Sequence, residues 1–163
     1  MLRVGALLVS GVLIQALVLP EFRVLGATPD LVLVIVLAIA FREEPEFAAV
    51  SGFVGGILID LFLRTPLGVS AIVYALASYA VAVLHTGILR PTRGLVPLIG
   101  FFGGLSVGAA YLVLSSLAGY EGLLTMGTAQ VLLVASLLDG AIALVVFPLV
   151  GKALGEDRTA VTA

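Results

Sequence analysis

The sequence contains no cysteine and no tryptophan, and charged residues of both signs are scarce. Without cysteine there can be no disulfide framework, thiol nucleophile or cysteine metal site. The only histidine, His85, cannot form a metal site alone. The eight lysines and arginines are scattered, so no basic patch indicates nucleic-acid binding. We therefore expect neither a cofactor nor a bound metal, and no nucleic-acid partner.

What the chain has instead is apolar sequence. Hydrophobic residues make up 61% of the 163 positions and charged residues 11%, and the mean hydropathy is +1.28. Soluble domains contain about a quarter charged residues, so this composition predicts an all-α integral membrane protein surrounded by lipid. Its length fits a single polytopic domain over residues 1–163, with no room for a separate soluble module.

Charged residues and prolines divide the chain into six apolar runs, which predict a bundle of six transmembrane helices. The predicted spans lie near residues 4–19, 29–41, 47–63, 67–85, 94–118 and 128–151. Thr28 before Pro29 and Thr65 before Pro66 place a capping hydroxyl next to a proline, which predicts two sharp helix starts. The second span is short, about 20 Å against a hydrocarbon core of roughly 30 Å, so a tilted or partly re-entrant helix is an alternative to full crossing.

Lysine and arginine in short loops are retained in the cytoplasm, and their distribution predicts that both termini are cytoplasmic. Six of the eight basic residues fall on the inside in that orientation and two on the outside. The inside set is Arg3, Arg42, Arg90, Arg93, Lys152 and Arg158, and the outside set is Arg23 and Arg64.

Two carboxylates, Asp60 and Asp139, lie within predicted spans, where an acid is costly to keep and is a functional candidate. Asp60 is one turn from the end of its span and has Arg64 at i+4, so an ion pair within one helix is the simpler interpretation. Asp139 has no basic residue in any span as a partner. We expect it to face the bundle interior or a cavity, protonated or hydrogen-bonded.

Two catalytic patterns have partial matches in the sequence, but neither fits the predicted helices. A proteolytic dyad needs its two acids in contact, whereas helix geometry places Asp139 roughly 10 Å deeper than Asp60. The spacing Gly104-x-Ser106-x-Gly108 formally matches a nucleophile elbow, but that motif needs a strand-to-helix turn and here it falls mid-helix. No enzymatic activity is expected.

Small residues at helical spacing predict close helix packing. Gly100, Gly104 and Gly108 form one stripe at i, i+4 and i+8. Gly52 and Gly56 share a face with Asp60, so that acid lies along a second small-residue groove. Glycine is common in transmembrane helices, so chance spacing is the alternative explanation.

Three segments together resemble the MreD family of rod shape-determining proteins. They are residues 29–33, 52–60 and 66–71, and their motif positions are Pro29, Asp30, Gly52, Phe53, Gly56, Asp60, Pro66 and Gly68. The resemblance covers about a third of the chain. The chain's length, short second span and predicted cytoplasmic termini are also typical of that family. The family more often has a neutral polar residue near Asp139, so no role is transferred to that acid.

The resemblance implies a non-catalytic scaffold in the bacterial inner membrane that acts with the bitopic protein MreC. The implied machinery also contains MreB filaments, the RodA glycosyltransferase and a penicillin-binding transpeptidase, and it directs side-wall peptidoglycan synthesis. Small-residue grooves in a lipid-embedded bundle would suit docking of another protein's transmembrane helix.

Two transporter hypotheses remain as alternatives. The fold of the family resembles the six-helix substrate-binding subunits of energy-coupling-factor transporters, which bind a vitamin-sized molecule. Such a subunit needs an aromatic-lined pocket, and this chain has only four tyrosines and no tryptophan. An ion-coupled transporter would use Asp60 or Asp139 as carrier, but the two halves of the chain show no inverted repeat.

Overall fold

The computed structural model describes residues 2–21, 23–63, 67–87, 94–117 and 125–155. Six α-helices account for most of these described residues, which confirms the prediction of an all-α chain with six helices. A 3-10 turn, Leu19–Glu21, follows the first helix. The helices are α1 (Leu2–Leu17), α2 (Leu31–Ala40), α3 (Pro45–Leu63), α4 (Val69–Gly87), α5 (Leu95–Leu117) and α6 (Met126–Leu154).

The helix boundaries lie within a few residues of the predicted spans. In the described part of the chain, four helices are long and apolar enough to cross a membrane by length and composition, namely α1 with its following turn, α3, α5 and α6. The apolar stretch of α4 is slightly shorter, and α2 has only ten residues. The short second span of the sequence is thus a short helix in the structure.

The short helix α2 occupies the centre of the bundle. Nine of its ten residues are buried, and it contacts α1, α3, α4, α5 and α6. A helix that is apolar on every side is expected to be covered on every side. At 1.5 Å per residue it is about 15 Å long, half of the hydrocarbon thickness. Protein surrounds α2, so its length need not match the membrane.

The residue that caps the N-terminus of α2 is not the predicted one. Asp30 is the N-cap residue, and its side chain accepts a hydrogen bond from Leu33 N at 3.0 Å. Thr28 lies exposed two residues earlier, so its prediction as the capping residue was wrong. Aspartate caps helices as well as threonine does, and both types flank Pro29. The second predicted cap, Thr65 before Pro66, lies outside the described residues.

Helices α3 and α4 approach each other through glycine. A Cβ atom added to Gly52 would lie 2.5 Å from Tyr74 O, and one added to Gly56 would lie 2.5 Å from Ala71 N. Real Cβ atoms do not come this close to backbone, so both positions require glycine. Gly55 faces the opposite way, where an added Cβ would be 2.9 Å from Val36 Cγ1 of α2.

The stripe of Gly100, Gly104 and Gly108 packs α5 against α6. A Cβ at Gly100 would lie 2.7 Å from Asp139 O, and the Gly108 position meets the side chain of Leu132. Both stripes are therefore occupied by helices of this chain. A partner's helix would need a different surface from the glycine grooves.

At one end of the bundle, two arginines bind backbone carbonyls of neighbouring helices. This is the end where α1 begins and where α2 and α6 end, and we call it the terminal end. Arg42 donates from Nη1 to Ala38 O at 2.8 Å and from Nη2 to Phe147 O at 3.0 Å. Arg3 donates to Leu154 O at 3.3 Å. Ala38 O and Leu154 O lie in the last turns of α2 and α6, where cationic side chains satisfy unpaired carbonyls and complement the helix dipole. Arg42 thus joins α2 to α6.

The α3–α4 contact predicts that Gly56→Leu is strongly destabilising. A leucine side chain must displace the backbone of Ala71, so we expect a loss of at least about 3 kcal/mol, the upper part of the range for overpacking. Thermal unfolding and size-exclusion profiles in mild detergent would measure it.

Gly5→Leu is the matched control, because nothing lies within 4 Å of an added Cβ at Gly5. It should keep the stability of the unmodified protein. Equal melting temperatures for the two variants would contradict the packing argument.

Candidate functional site: a polar cavity at the start of the central helix

A cavity of about 260 Å³ lies at the end of the bundle opposite the terminal end, beside the N-terminus of α2. All six helices or their flanking residues contribute to its wall. Its polar lining side chains are Gln15, Thr28, Asp30, Ser70, Tyr74, Tyr111 and Asp139. The apolar part of the wall comes from Leu33, Ile59, Val107, Leu132 and Ala135, together with Gly104 and Gly108.

Asp30 is the centre of the polar network. Its Oδ1 accepts from Leu33 N at 3.0 Å and from Gln15 Nε2 at 3.1 Å. Its Oδ2 accepts from the hydroxyl of Tyr74. Because Gln15 belongs to α1 and Tyr74 to α4, one carboxylate joins three helices. The sequence identified Asp30 as a motif position but did not indicate that it joins three helices.

Gln15 and Asp139 complete the start of α2. Gln15 Oε1 accepts from Val32 N at 2.8 Å, and Asp139 Oδ1 accepts from Asp30 N at 2.6 Å. Together with the Asp30 cap on Leu33, three backbone N–H groups at this helix start bind side-chain acceptors. A helix N-terminus leaves its first N–H groups unpaired, and inside a membrane protein they must find partners in the protein.

Asp139 is 2% exposed and lies in the middle of α6. Its side chain fills the space left by Gly104, where an added Cβ would be 3.2 Å from Asp139 Cγ. The glycine stripe and the intramembrane acid are therefore one feature: Gly104 provides the room that the carboxylate occupies. The expectation that Asp139 faces the interior and is hydrogen-bonded agrees with this position.

Asp60 lies outside this network. It is 2% exposed, and its Oδ2 accepts from Gly68 N at 2.8 Å. This bond ties the end of α3 to the residue before α4. Gly68 has a φ of +93°, a left-handed conformation that favours glycine. The predicted partner Arg64 lies outside the described residues.

The remaining predicted positions have different surroundings. Pro29 is buried at the start of α2, and Phe53 is 48% exposed on the outer surface of α3. Pro66 lies outside the described residues. Ser106, of the Gly-x-Ser-x-Gly pattern, is exposed within α5 and donates to Phe102 O at 2.7 Å, as a helical serine does.

Sequence analysis missed Gln15, Ser70 and Tyr74. The predicted intramembrane candidates are both charged, although the amide of Gln15 within an apolar run is a comparable signal. Ser70 and Tyr74 stand at i and i+4 near the start of α4, so they share a helix face. That spacing is visible in the sequence, but the sequence does not show that this face of α4 lines the cavity.

The hydrogen bonds predict that Asp60→Leu disturbs the fold more than Asp139→Asn. Leucine cannot accept from Gly68 N, which then lacks its partner at the end of α3. Asparagine keeps an oxygen that can accept from Asp30 N. We expect Asp60→Leu to cost about 1–3 kcal/mol and Asp139→Asn to cost less. Thermal unfolding of both variants in one detergent tests the order, and the reverse order would refute it.

Comparison with known proteins agrees with the motif resemblance. The family model of the rod shape-determining protein MreD matches residues 2–154, which include all six helices. Neither the curated proteins nor the solved structures gave a match, so the expected likeness to energy-coupling-factor subunits stays a prediction. Family membership implies a role in rod shape determination. The chain belongs to the MreD family of rod shape-determining membrane proteins.

Proposed function

We propose that this protein is a non-catalytic scaffold of the bacterial cell-elongation machinery in the inner membrane, where it binds MreC. The family match over residues 2–154 is the observation that carries the proposal. Through MreC the protein would act on MreB filaments, RodA and its penicillin-binding transpeptidase, and so on side-wall peptidoglycan synthesis. With cytoplasmic termini, the polar cavity opens toward the periplasmic side.

A shallow apolar groove between α5 and α6 is the surface that best suits a partner's transmembrane helix. It encloses about 340 Å³ on the outside of the bundle. Its lining residues are Pro97, Leu98, Phe101, Leu137, Gly140, Ala141 and Leu144. Helices associate in membranes through close van der Waals packing at small residues. The exposed Ala141 supplies a small residue beside exposed leucines, whereas the glycine stripes are already filled.

A second candidate function, the substrate-binding subunit of a small-molecule transporter, is supported by the polar cavity. Tyr74 and Tyr111 both line it, together with two carboxyl groups.

Affinity purification from native membranes in mild detergent, followed by mass spectrometry, distinguishes the scaffold from the transporter subunit. An MreC-like bitopic protein recovered with cell-wall synthases supports the scaffold. ATPase subunits recovered with a vitamin-sized molecule support the transporter and contradict the scaffold.

Site-specific photo-crosslinking tests the groove. We expect a photo-reactive residue in place of Leu137, which is 61% exposed, to form an adduct with MreC in living cells. The same residue in place of Leu76, 65% exposed on α4, should react mainly with lipid. Adducts from position 76 and none from position 137 would place the partner elsewhere.

Filling the groove gives a functional test. Ala141→Trp adds a bulky side chain at an exposed position and should reduce MreC recovery by about tenfold, the effect of losing about 1.4 kcal/mol of binding. Leu76→Trp is the control and should recover MreC normally. Unchanged recovery with both variants would exclude this groove as the contact.

A further inference from the structure

Two polar groups in the cavity have no hydrogen-bond partner among the described residues. Asp139 Oδ1 accepts from Asp30 N, but in the described part of the chain no donor contacts Asp139 Oδ2. Ser70 also lines the cavity, is 4% exposed, and has no hydrogen bond to any described residue. Polar groups this deeply buried normally have partners. These two acceptors therefore mark a place for a ligand that donates hydrogen bonds.

The acidic side chains of the cavity indicate that the ligand carries a positive charge. Its wall carries two carboxyl groups, Asp30 and Asp139, and the described lining residues include no lysine, arginine or histidine. Both oxygens of Asp30 already accept from Gln15, Leu33 and Tyr74. Among the described residues, the one hydrogen-bond donor to Asp139 is the neutral N–H of Asp30. A buried carboxylate without a counter-charge is favourable to a cation.

The number of free oxygens and the apolar wall select the kind of cation. Metal ions such as Mg²⁺ and Ca²⁺ need about six oxygen ligands, whereas an ammonium group has three N–H donors. Leu33, Ile59 and Val107 give the same cavity an apolar wall. A volume of about 260 Å³ lies below the usual range of drug-sized pockets. A short alkyl chain that ends in an ammonium group fits the acidic lining, the two free acceptors, the apolar wall and the small volume of the cavity.

We propose that this cavity binds a primary alkylammonium group, with Asp139 Oδ2 and Ser70 Oγ as its acceptors and the apolar wall around its alkyl chain. The group has two chemical sources, a free small amine or the ethanolamine headgroup of a phospholipid. This binding goes beyond the scaffold role and does not depend on it, because the cavity and the α5–α6 groove are separate surfaces.

Ligand titration of the full-length protein in maltoside detergent tests the site. We expect n-butylammonium chloride to raise the melting temperature in a saturable way. n-Butanol, which has the same chain without the charge, and NaCl at equal ionic strength should not. No saturable effect of n-butylammonium would overturn the proposal. An equal effect of NaCl would assign the site to an inorganic cation and overturn it as well.

Two substitutions locate the binding. Asp139→Asn removes the charge and keeps the shape, and should weaken n-butylammonium binding at least about tenfold, because hydrogen bonds to charged groups are the strong ones. Ser70→Ala should weaken it several-fold and provides a second test if the first variant is unstable. Ser78→Ala is the control, since Ser78 is a buried serine of the same helix that does not line the cavity. Wild-type affinity in both Asp139→Asn and Ser70→Ala would overturn the proposal.

Nanodiscs distinguish the two sources. Protein in phosphatidylglycerol nanodiscs should bind n-butylammonium, and adding phosphatidylethanolamine should abolish that binding if the headgroup reaches the cavity. Binding that persists in phosphatidylethanolamine assigns the site to a free amine. Absence of binding in pure phosphatidylglycerol would contradict both sources.

Discussion

The N-terminus of α2 is the constraint on which much of the structure depends. This helix begins inside the bundle, where its first N–H groups bind side chains of the protein. The N–H groups of Asp30, Val32 and Leu33 donate to side-chain oxygens of Asp139, Gln15 and Asp30, respectively. Each buried N–H left unpaired would cost about 1–3 kcal/mol. The polar side chains of Gln15 in α1 and Asp139 in α6 are thus explained by the needs of one helix end.

Glycine packing follows from the same requirement. A carboxylate in the middle of α6 needs space between α6 and its neighbour, and Gly104 on α5 provides that space. Close approach of the two helices continues at Gly100. On the other side of the bundle, Gly52 and Gly56 bring α4 against α3, and Tyr74 of α4 reaches Asp30. Because these surfaces are used inside the chain, a partner protein is left with the outer apolar faces.

The sequence predicted the number of helices and their approximate positions, because long apolar runs stop at charged residues and prolines. It also indicated that Asp139 faces inward, since no basic residue shares its depth. The partner of Asp139 was not predictable, because Asp30 is 109 positions away and only tertiary packing brings them together. The cap of α2 was placed at Thr28 because threonine and aspartate around a proline give the same signal. The bond from Arg42 to a carbonyl of α6 was not predictable either, because Phe147 is 105 positions away.

The shortness of α2 also accounts for the cavity. A helix of ten residues surrounded by helices of 16 to 29 residues cannot fill the full height of the bundle. At the terminal end the remaining space is filled by Phe41, whose ring lies 4.2 Å from that of His85, and by Arg42 over Phe147. At the opposite end the space stays open as the cavity. The side chains that bind the first N–H groups of α2 line this cavity, and this is why two acids, Asp30 and Asp139, face it.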